Sequence, residues 1–411
     1  MLFYSIGIRL YGLGIFVASF FNSKAKAWVD GRKNIFQNLD HKLSGDSSKK
    51  IWFHCSSFGE FEQGRPVLQQ LKKQFPEYKI VLTFFSPSGY KQGFKEPAAD
   101  YVFYLPMDGA GNANKFLTLV KPSLTVFVKY DFWFYYMTTL HKNKFPFVYI
   151  SSIFRSDQYF FKWYGKPFLE KLKLASYYFV QNELSKKLLA EHGIQNVSIT
   201  GDTRFDRVVQ LPSIEFIDKK IEAFTQNNSV IVGGSTWQPD EELLMQYIQQ
   251  CEKKIKLILV PHEIKEDAIQ ASINRSVKKV VRYSTVNESE LSAANILIID
   301  TIGMLSKIYR FGNVAFIGGG FGKGIHNTLE AAVYGLPVLF GPNYFKFNEA
   351  KELIENRGAW SIQNYNELKE KLDELINNST LLNSAQQANK TFVINNAGAT
   401  AKIMNGIKQL F

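Results

Sequence analysis

Seven short stretches of this 411-residue chain hold most of the residues able to do chemistry. They are "HCSSFGE" (54–60), "FSPSG" (85–89), "VKYDFW" (128–133), "TGDTRFD" (200–206), "GGSTWQPDEE" (233–242), "PHE" (261–263) and "GGGFGKGIHNTLEAAVYGLPVLFGP" (318–342). Glu60 follows Ser56, Ser57 and Gly59 and opens the next helical pattern. A carboxylate there can serve as a general base, and it can equally be the acidic residue that a first helical turn favours. Gly318, Gly319 and Gly320 stand between "NVAFI", which reads as a strand, and "NTLEAAVYG", which reads as a helix start. Glycine in series marks close approach of the backbone to something. A turn from a strand to a helix N-terminus has unpaired N–H groups that can hold a phosphate, and a tight turn without a ligand uses the same residues.

The elements that must position these stretches follow from the apolar periodicity. "KIWFHCSS", "KIVLTFF", "YVFYLP", "LTVFVKY", "FPFVYISS", "YYFVQN" and "VSITGD" read as strands, with helical spacing in "FEQGRPVLQQLKKQF", "NANKFLTLV" and "NELSKKLLAEHG" between them. Strands alternating with helices of this length predict βαβ units and a parallel sheet. The pattern loosens through "VVQLPSIEFIDKK" after Arg207, then restarts with "SVIVGGST", "KLILVPHE", "NILIID", "NVAFIGGG" and "LPVLFGP". Two doubly wound α/β domains with a cleft between them are expected, and ligands in such sheets bind beyond the carboxyl ends of the strands. All seven chemical stretches fall at such ends.

Composition narrows the setting. Hydrophobic residues make up 45% and charged residues 21%, a globular balance. A net charge of +12 favours an acidic partner, yet the lysines are dispersed and no nucleic-acid-binding pattern appears, so no nucleic acid is expected. Cys55 and Cys251 are read as reduced thiols beside apolar runs. Leu2–Phe21, "LFYSIGIRLYGLGIFVASFF", is apolar save for Arg9 and is followed by Lys24, Lys26, Arg32 and Lys33. This segment approaches the length of a membrane span, and the flanking charge would keep the two domains on the cytoplasmic side. A shallow monotopic anchor, with Arg9 reaching back to the surface, is the competing geometry, and a helix packed on the protein itself is the third. We expect an anchor segment in residues 1–35, at the cytoplasmic face of the inner membrane, with domains in 36–207 and 208–411.

In this order the seven stretches resemble the Kdo transferases, which attach 3-deoxy-D-manno-octulosonic acid to lipid A precursors. The resemblance runs from the apolar N-terminus through "GRKN" to "FGPNYFKFNEA" and implies a GT-B fold: two Rossmann-like domains, the first binding acceptor and the second donor. Glu60 occupies the position of the family's proposed catalytic base, beside Ser57 and Gly59. Asp131 keeps the second acidic position of the family's E-x-E-L-W-P, but Lys129 stands at the first, which weakens a paired-carboxylate role. Arg204 in "GDTRFD" resembles the basic residue of G-N-x-K-[FY]-D, with Asp202 in place of Asn. His262 and Glu263 match V-P-R-H-P-E without its arginine; a lone histidine is often structural, and the strand end favours ligand contact. The glycine loop with His326, Asn327 and Glu330 resembles G-G-H-N-x-L-E-P, Ala331 standing for proline. There Glu330 would hold ribose hydroxyls, while Ser235 and Thr236 would donate to the nucleotide phosphate.

The implied reaction is transfer of Kdo from CMP-Kdo to a hydroxyl of a phosphorylated lipid A precursor, with inversion. Glu60 would act as base, and fixed N–H dipoles with Arg204 would stabilise the departing phosphate. No metal or other cofactor is expected, since neither Asp-x-Asp nor a His/Cys ligand set is present. The +12 charge suits a phosphorylated lipid on an anionic inner-membrane surface. Two rivals share the glycine loop: a GT-B enzyme using a UDP-sugar, and a non-catalytic, membrane-anchored nucleotide or phosphate binder.

Overall fold

The computed structural model describes residues 2–410. The described chain divides into two compact units. One comprises the chain up to Arg207 together with the stretch from Ala397 onward, and the other is Val208–Asn396.

The first unit is built on seven parallel strands: β1 (Lys50–Cys55), β2 (Lys79–Phe84), β3 (Tyr101–Tyr104), β4 (Pro122–Val128), β5 (Phe147–Ser152), β6 (Tyr177–Val180) and β7 (Val197–Ile199). Their order across the sheet is β3-β2-β1-β4-β5-β6-β7. Helices cover both faces, so a central strand such as β1 is buried along its whole length, which is why it reads as a continuous apolar run instead of an alternating one. The sheet reverses direction between β1 and β4, which pair from Lys50 with Pro122 to His54 with Phe127. The loops leaving those two neighbours diverge, and the crevice they leave is where ligands bind in such sheets.

The second unit repeats the architecture with β8 (Ser229–Thr236), β9 (Ile255–Pro261), β10 (Val280–Arg282), β11 (Ile296–Ile298), β12 (Val314–Ile317), β13 (Val338–Phe340) and β14 (Ala359–Ser361), all parallel. The order is β10-β11-β9-β8-β12-β13-β14, and the reversal lies between β8 and β12. The apolar pattern announces twelve of the fourteen strands. The two it does not, β10 and β14, are the edges of this sheet, three residues each and only partly buried. Each offers a single apolar pair, Val280–Val281 or Ala359–Trp360, between charged, polar or glycine residues, so no apolar run marks it.

Two expectations are modified, and the N-terminal segment takes a bent form. The tail does not stay with the second half: helix Ala399–Lys408 returns to the first unit, where Ile403, Met404 and Ile407 join its core. Asp206 caps that helix, accepting from the Thr400 amide and hydroxyl at 2.7 Å each and from the Gly398 amide. The helix expected after the glycine loop is only Leu329–Ala332, too short to offer the loop a helix dipole. The N-terminal segment forms α1 (Leu2–Ala18) and α2 (Ser23–Asp30), and no single helix among the described residues is long and apolar enough to cross a membrane. The pair bends by 120°. One side of α1 is tied to the first unit, with the Tyr4 hydroxyl donating to buried Asp108 at 2.6 Å. The other side exposes Phe3, Leu10, Leu13, Phe16 and Val17, continued by Phe20 and Phe21.

The cap on the returning helix is testable. Asp206→Ala leaves two amides and a hydroxyl without their charged acceptor and is expected to lower unfolding free energy by about 2–3 kcal/mol. Asp206→Asn, which keeps one acceptor oxygen, is expected to lose less. Urea denaturation of both variants side by side checks the ranking.

Candidate active site

At the reversal point of the first unit, two consecutive serines are each held by a carboxylate. Asp131, just beyond β4, accepts from the Ser56 amide at 2.8 Å and from the Ser56 hydroxyl at 2.7 Å. Glu60 accepts from the Ser57 amide and hydroxyl, both at 2.7 Å. Glu60 is the third residue of α4, as helix Phe58–Gln74 is labelled after α3 (Ile35–Leu43), and Ser57 is its N-cap, so the second clamp closes within one turn as a capping interaction. Both of its bonds fall on Oε2; among the described residues nothing donates to Oε1. Gly59 is exposed and leaves the approach to this carboxylate open.

The two carboxylates differ in surroundings. Asp131 is 8% exposed, and its carboxyl is pushed well above the usual range, first by burial and then by the negative charge of Glu60. Its clamp on Ser56 and the Lys129 charge work against that shift. Asp131 therefore holds the loop that carries Glu60, while Glu60, half-buried, is the carboxylate a substrate can reach. Lys129 itself lies at φ 63°, a left-handed conformation that a lysine adopts at some cost, with its ammonium 5.5 Å from the Tyr130 ring centre.

His54 lies beneath this pair and was not singled out by sequence reasoning. Its Nε2 accepts from the Trp133 indole at 2.9 Å, so the neutral ring carries its proton on Nδ1, 2.8 Å from the Thr83 hydroxyl. Complete burial pulls its pKa down to about 3.

Arg204 belongs to the first unit, whereas the glycine loops belong to the second. Its guanidinium is paired with Asp202, at 2.7 Å from Nη2 and 2.8 Å from Nε, and Asp202 also accepts from the Gln63 amide. The basic charge expected to meet a phosphate thus already has a carboxylate partner.

In the second unit the structure brings together Ser235, Thr236, His262, Gly318, Gly319, Gly320 and His326. The glycines are explained first by the chain itself. A Cβ on Gly318 would stand 2.3 Å from the Ser235 carbonyl, and one on Gly320 would stand 2.5 Å from the Gly341 amide nitrogen. The close approach is between neighbouring loops. Asp240 ties the same loops, accepting from the Gly319 amide at 2.9 Å and the Trp237 amide at 2.8 Å. Thr236 is buried and donates to Glu241, while Ser235 is held at φ 53°. His262 and His326 stack with ring centres 4.2 Å apart, and Trp237 stacks on His262 at 4.8 Å. Glu263 is exposed and ion-paired with Lys265. Asn327 donates to Glu330 at 3.1 Å. Trp237 and Asp240 were hidden in a stretch already recognised as chemical; residue type alone did not separate them from their neighbours. Among the described residues no cluster of His, Cys, Asp and Glu has metal-binding geometry.

Residues 32–207 match the family model described as 3-deoxy-D-manno-octulosonic-acid transferase (kdotransferase). The chain is similar to Kdo transferases over most of its length. It is 28% identical to the 3-deoxy-D-manno-octulosonic acid transferase of Aquifex aeolicus over 79% of this chain and 86% of that protein. With the Haemophilus influenzae enzyme of the same name it shares 26% over 87% of this chain and 86% of that one. The fold is GT-B: UDP-GlcNAc 2-epimerase from Neisseria meningitidis superposes with a TM-score of 0.64 at 17% identity, covering 88% of this chain and all of that one. The matched span carries both serine–carboxylate clamps, and Gly31, whose missing side chain leaves room for the Tyr104 ring, stands just before it.

Burial of His54 makes stability depend on pH in a definite sense. Its folded pKa lies below the unfolded value near 6.5, so the unfolded chain takes up a proton that the folded chain refuses. Its contribution is complete above about pH 6.5 and is lost as pH falls toward 3, at up to about 1.4 kcal/mol per pH unit. Asp131, shifted upward, acts in the opposite sense over the acid range. Unfolding free energies of wild type and His54→Gln, compared from pH 7 to pH 4, are expected to converge as pH falls.

Proposed function

We propose that this protein transfers Kdo from CMP-Kdo to a hydroxyl of a phosphorylated lipid A precursor, with inversion at the ketosidic carbon, at the cytoplasmic face of the inner membrane. The observation that carries the mechanism is Glu60: a reachable carboxylate fixed through one oxygen to Ser57, with the other open to accept a proton. The acceptor hydroxyl gives its proton to Glu60 as its oxygen bonds to the sugar carbon and the bond to the cytidine monophosphate oxygen breaks. Asp131 keeps the Ser56–Ser57 loop in place and is a positioning residue for that step. The glycine loops and the His262–His326 pair of the second unit suit the nucleotide phosphate, and Glu330 suits the ribose. Similarity to Kdo transferases supports the sugar; the acceptor and the membrane rest on the +12 charge and on the apolar face of α1.

Incubation of the protein with a defined lipid A precursor and freshly generated CMP-Kdo should raise the lipid's mass by whole Kdo residues. No increase, or displacement of bound CMP by UDP at equal concentration, would overturn the reading. Glu60→Gln preserves the bonds to Ser57, so melting temperature should hold while turnover falls roughly 10²–10⁴-fold. CMP affinity should be unchanged.

The membrane reading makes a separate prediction. Replacing Phe16, Phe20 and Phe21 by Ser leaves the Tyr4–Asp108 tie intact and removes three exposed rings. Co-sedimentation with phosphatidylglycerol vesicles is expected to fall at least tenfold, since one buried Phe side chain is worth about 1.5–3 kcal/mol. Turnover on detergent-dispersed acceptor should persist. Undiminished vesicle binding would place the membrane contact elsewhere.

A further inference from the structure

Trp237 stands at the N-cap of helix Gln238–Gln250 and is 40% exposed, a large ring left partly in water beside the glycine loop. Two contacts hold it in place. Its face stacks on His262 with an interplanar angle of 27°, and its indole N–H donates to His326 Nε2 at 3.2 Å. The second contact has a chemical consequence. A neutral imidazole carries one proton, and the nitrogen that accepts a hydrogen bond cannot be the one that holds it.

We propose that Trp237 is a positioning residue of the donor site, acting through His326: its indole N–H holds the neutral ring in the tautomer protonated on Nδ1, so that Nδ1–H is the donor His326 offers to a phosphate. The site assignment rests on the proposed transferase function; the tautomer does not. Without the indole, His326 divides between two neutral forms, only one of which carries that donor. The stack also disfavours an imidazolium at His326, whose ring centre lies 4.2 Å from that of His262. Burial and His262 together hold His326 down at about 4. The other charged groups around the stack are Asp240 on the Trp237 side, Glu263 with Lys265 beyond His262, and Lys323 and Glu330 flanking His326 in sequence. Trp237→Phe retains an aromatic face but removes the pyrrole ring together with its N–H, so the donor role is separated from packing by the pH dependence and by a His326→Gln background.

Nitrogen NMR of histidine-labelled full-length protein reads the tautomer without any ligand. Wild type is expected to show His326 protonated on Nδ1, and Trp237→Phe a mixture of the two forms. A proton on Nε2 in wild type, or an unchanged spectrum in the variant, would overturn the proposal. CMP titrations then test the consequence. Trp237→Phe should weaken CMP binding about two- to tenfold at pH 8, the worth of one neutral hydrogen bond. The deficit should shrink as pH falls to about 4, where an imidazolium carrying both protons becomes populated. In a His326→Gln background the Trp237→Phe change should cost nothing further. An equal loss at both pH values, or in both backgrounds, would reduce Trp237 to packing and overturn the proposal. Failure of wild type to bind CMP would instead sink the donor-site reading, leaving the NMR result to decide the tautomer.

Discussion

In a parallel sheet every βα loop leaves from the same edge, and at the point where strand order reverses two adjacent loops turn away from each other. Nothing in the backbone ladder ties them, so their amides must be satisfied by something else. Here that something is a carboxylate in each unit. Asp131 bonds the amide and hydroxyl of Ser56 across the β1/β4 reversal, and Asp240 bonds the amides of Gly319 and Trp237 across the β8/β12 reversal. Both are buried, and burial raises the pKa of each, so each opposes a desolvation cost with charge-assisted bonds. The position of Glu60 and the shape of the glycine loops both follow from these ties.

A second device recurs. In each unit a tryptophan indole donates to the Nε2 of a histidine at the strand ends, Trp133 to His54 and Trp237 to His326. Each histidine is held neutral by burial, to different degrees. The consequences diverge with exposure: His54 is wholly buried and serves the packing under Asp131, whereas His326 lies at the surface of the glycine loop. The same bond therefore joins a part-buried pair in one unit and a more exposed pair in the other.

Fold class, strand order within each βα unit and the location of the seven chemical stretches were legible in the sequence, because they follow from local periodicity: the apolar run of β1 or β8 predicts a buried strand wherever it lies in the chain. Glu60 was legible for the same reason, since its partner Ser57 lies within one helical turn. The edges β10 and β14 were not, since each offers only one apolar pair between charged, polar or glycine residues.

Roles that depend on distant partners were decided only by the folded chain. Ser56 and Asp131 are 75 residues apart, Asp240 and Gly319 are 79, and Trp237 and His326 are 89. The pairing of Arg204 with Asp202 is local in sequence, yet residue type alone does not show it, because a guanidinium's counter-charge is known only once side chains are placed. The return of the tail to the first unit, through Asp206 and Thr400 at a separation of 194 residues, lies furthest from local pattern. Sequence determined which segments would be strands and helices, since backbone periodicity is a property of a few consecutive residues. Tertiary structure decided which carboxylate is buried across a loop and which stays part-exposed, since burial and partnership are properties of the whole unit.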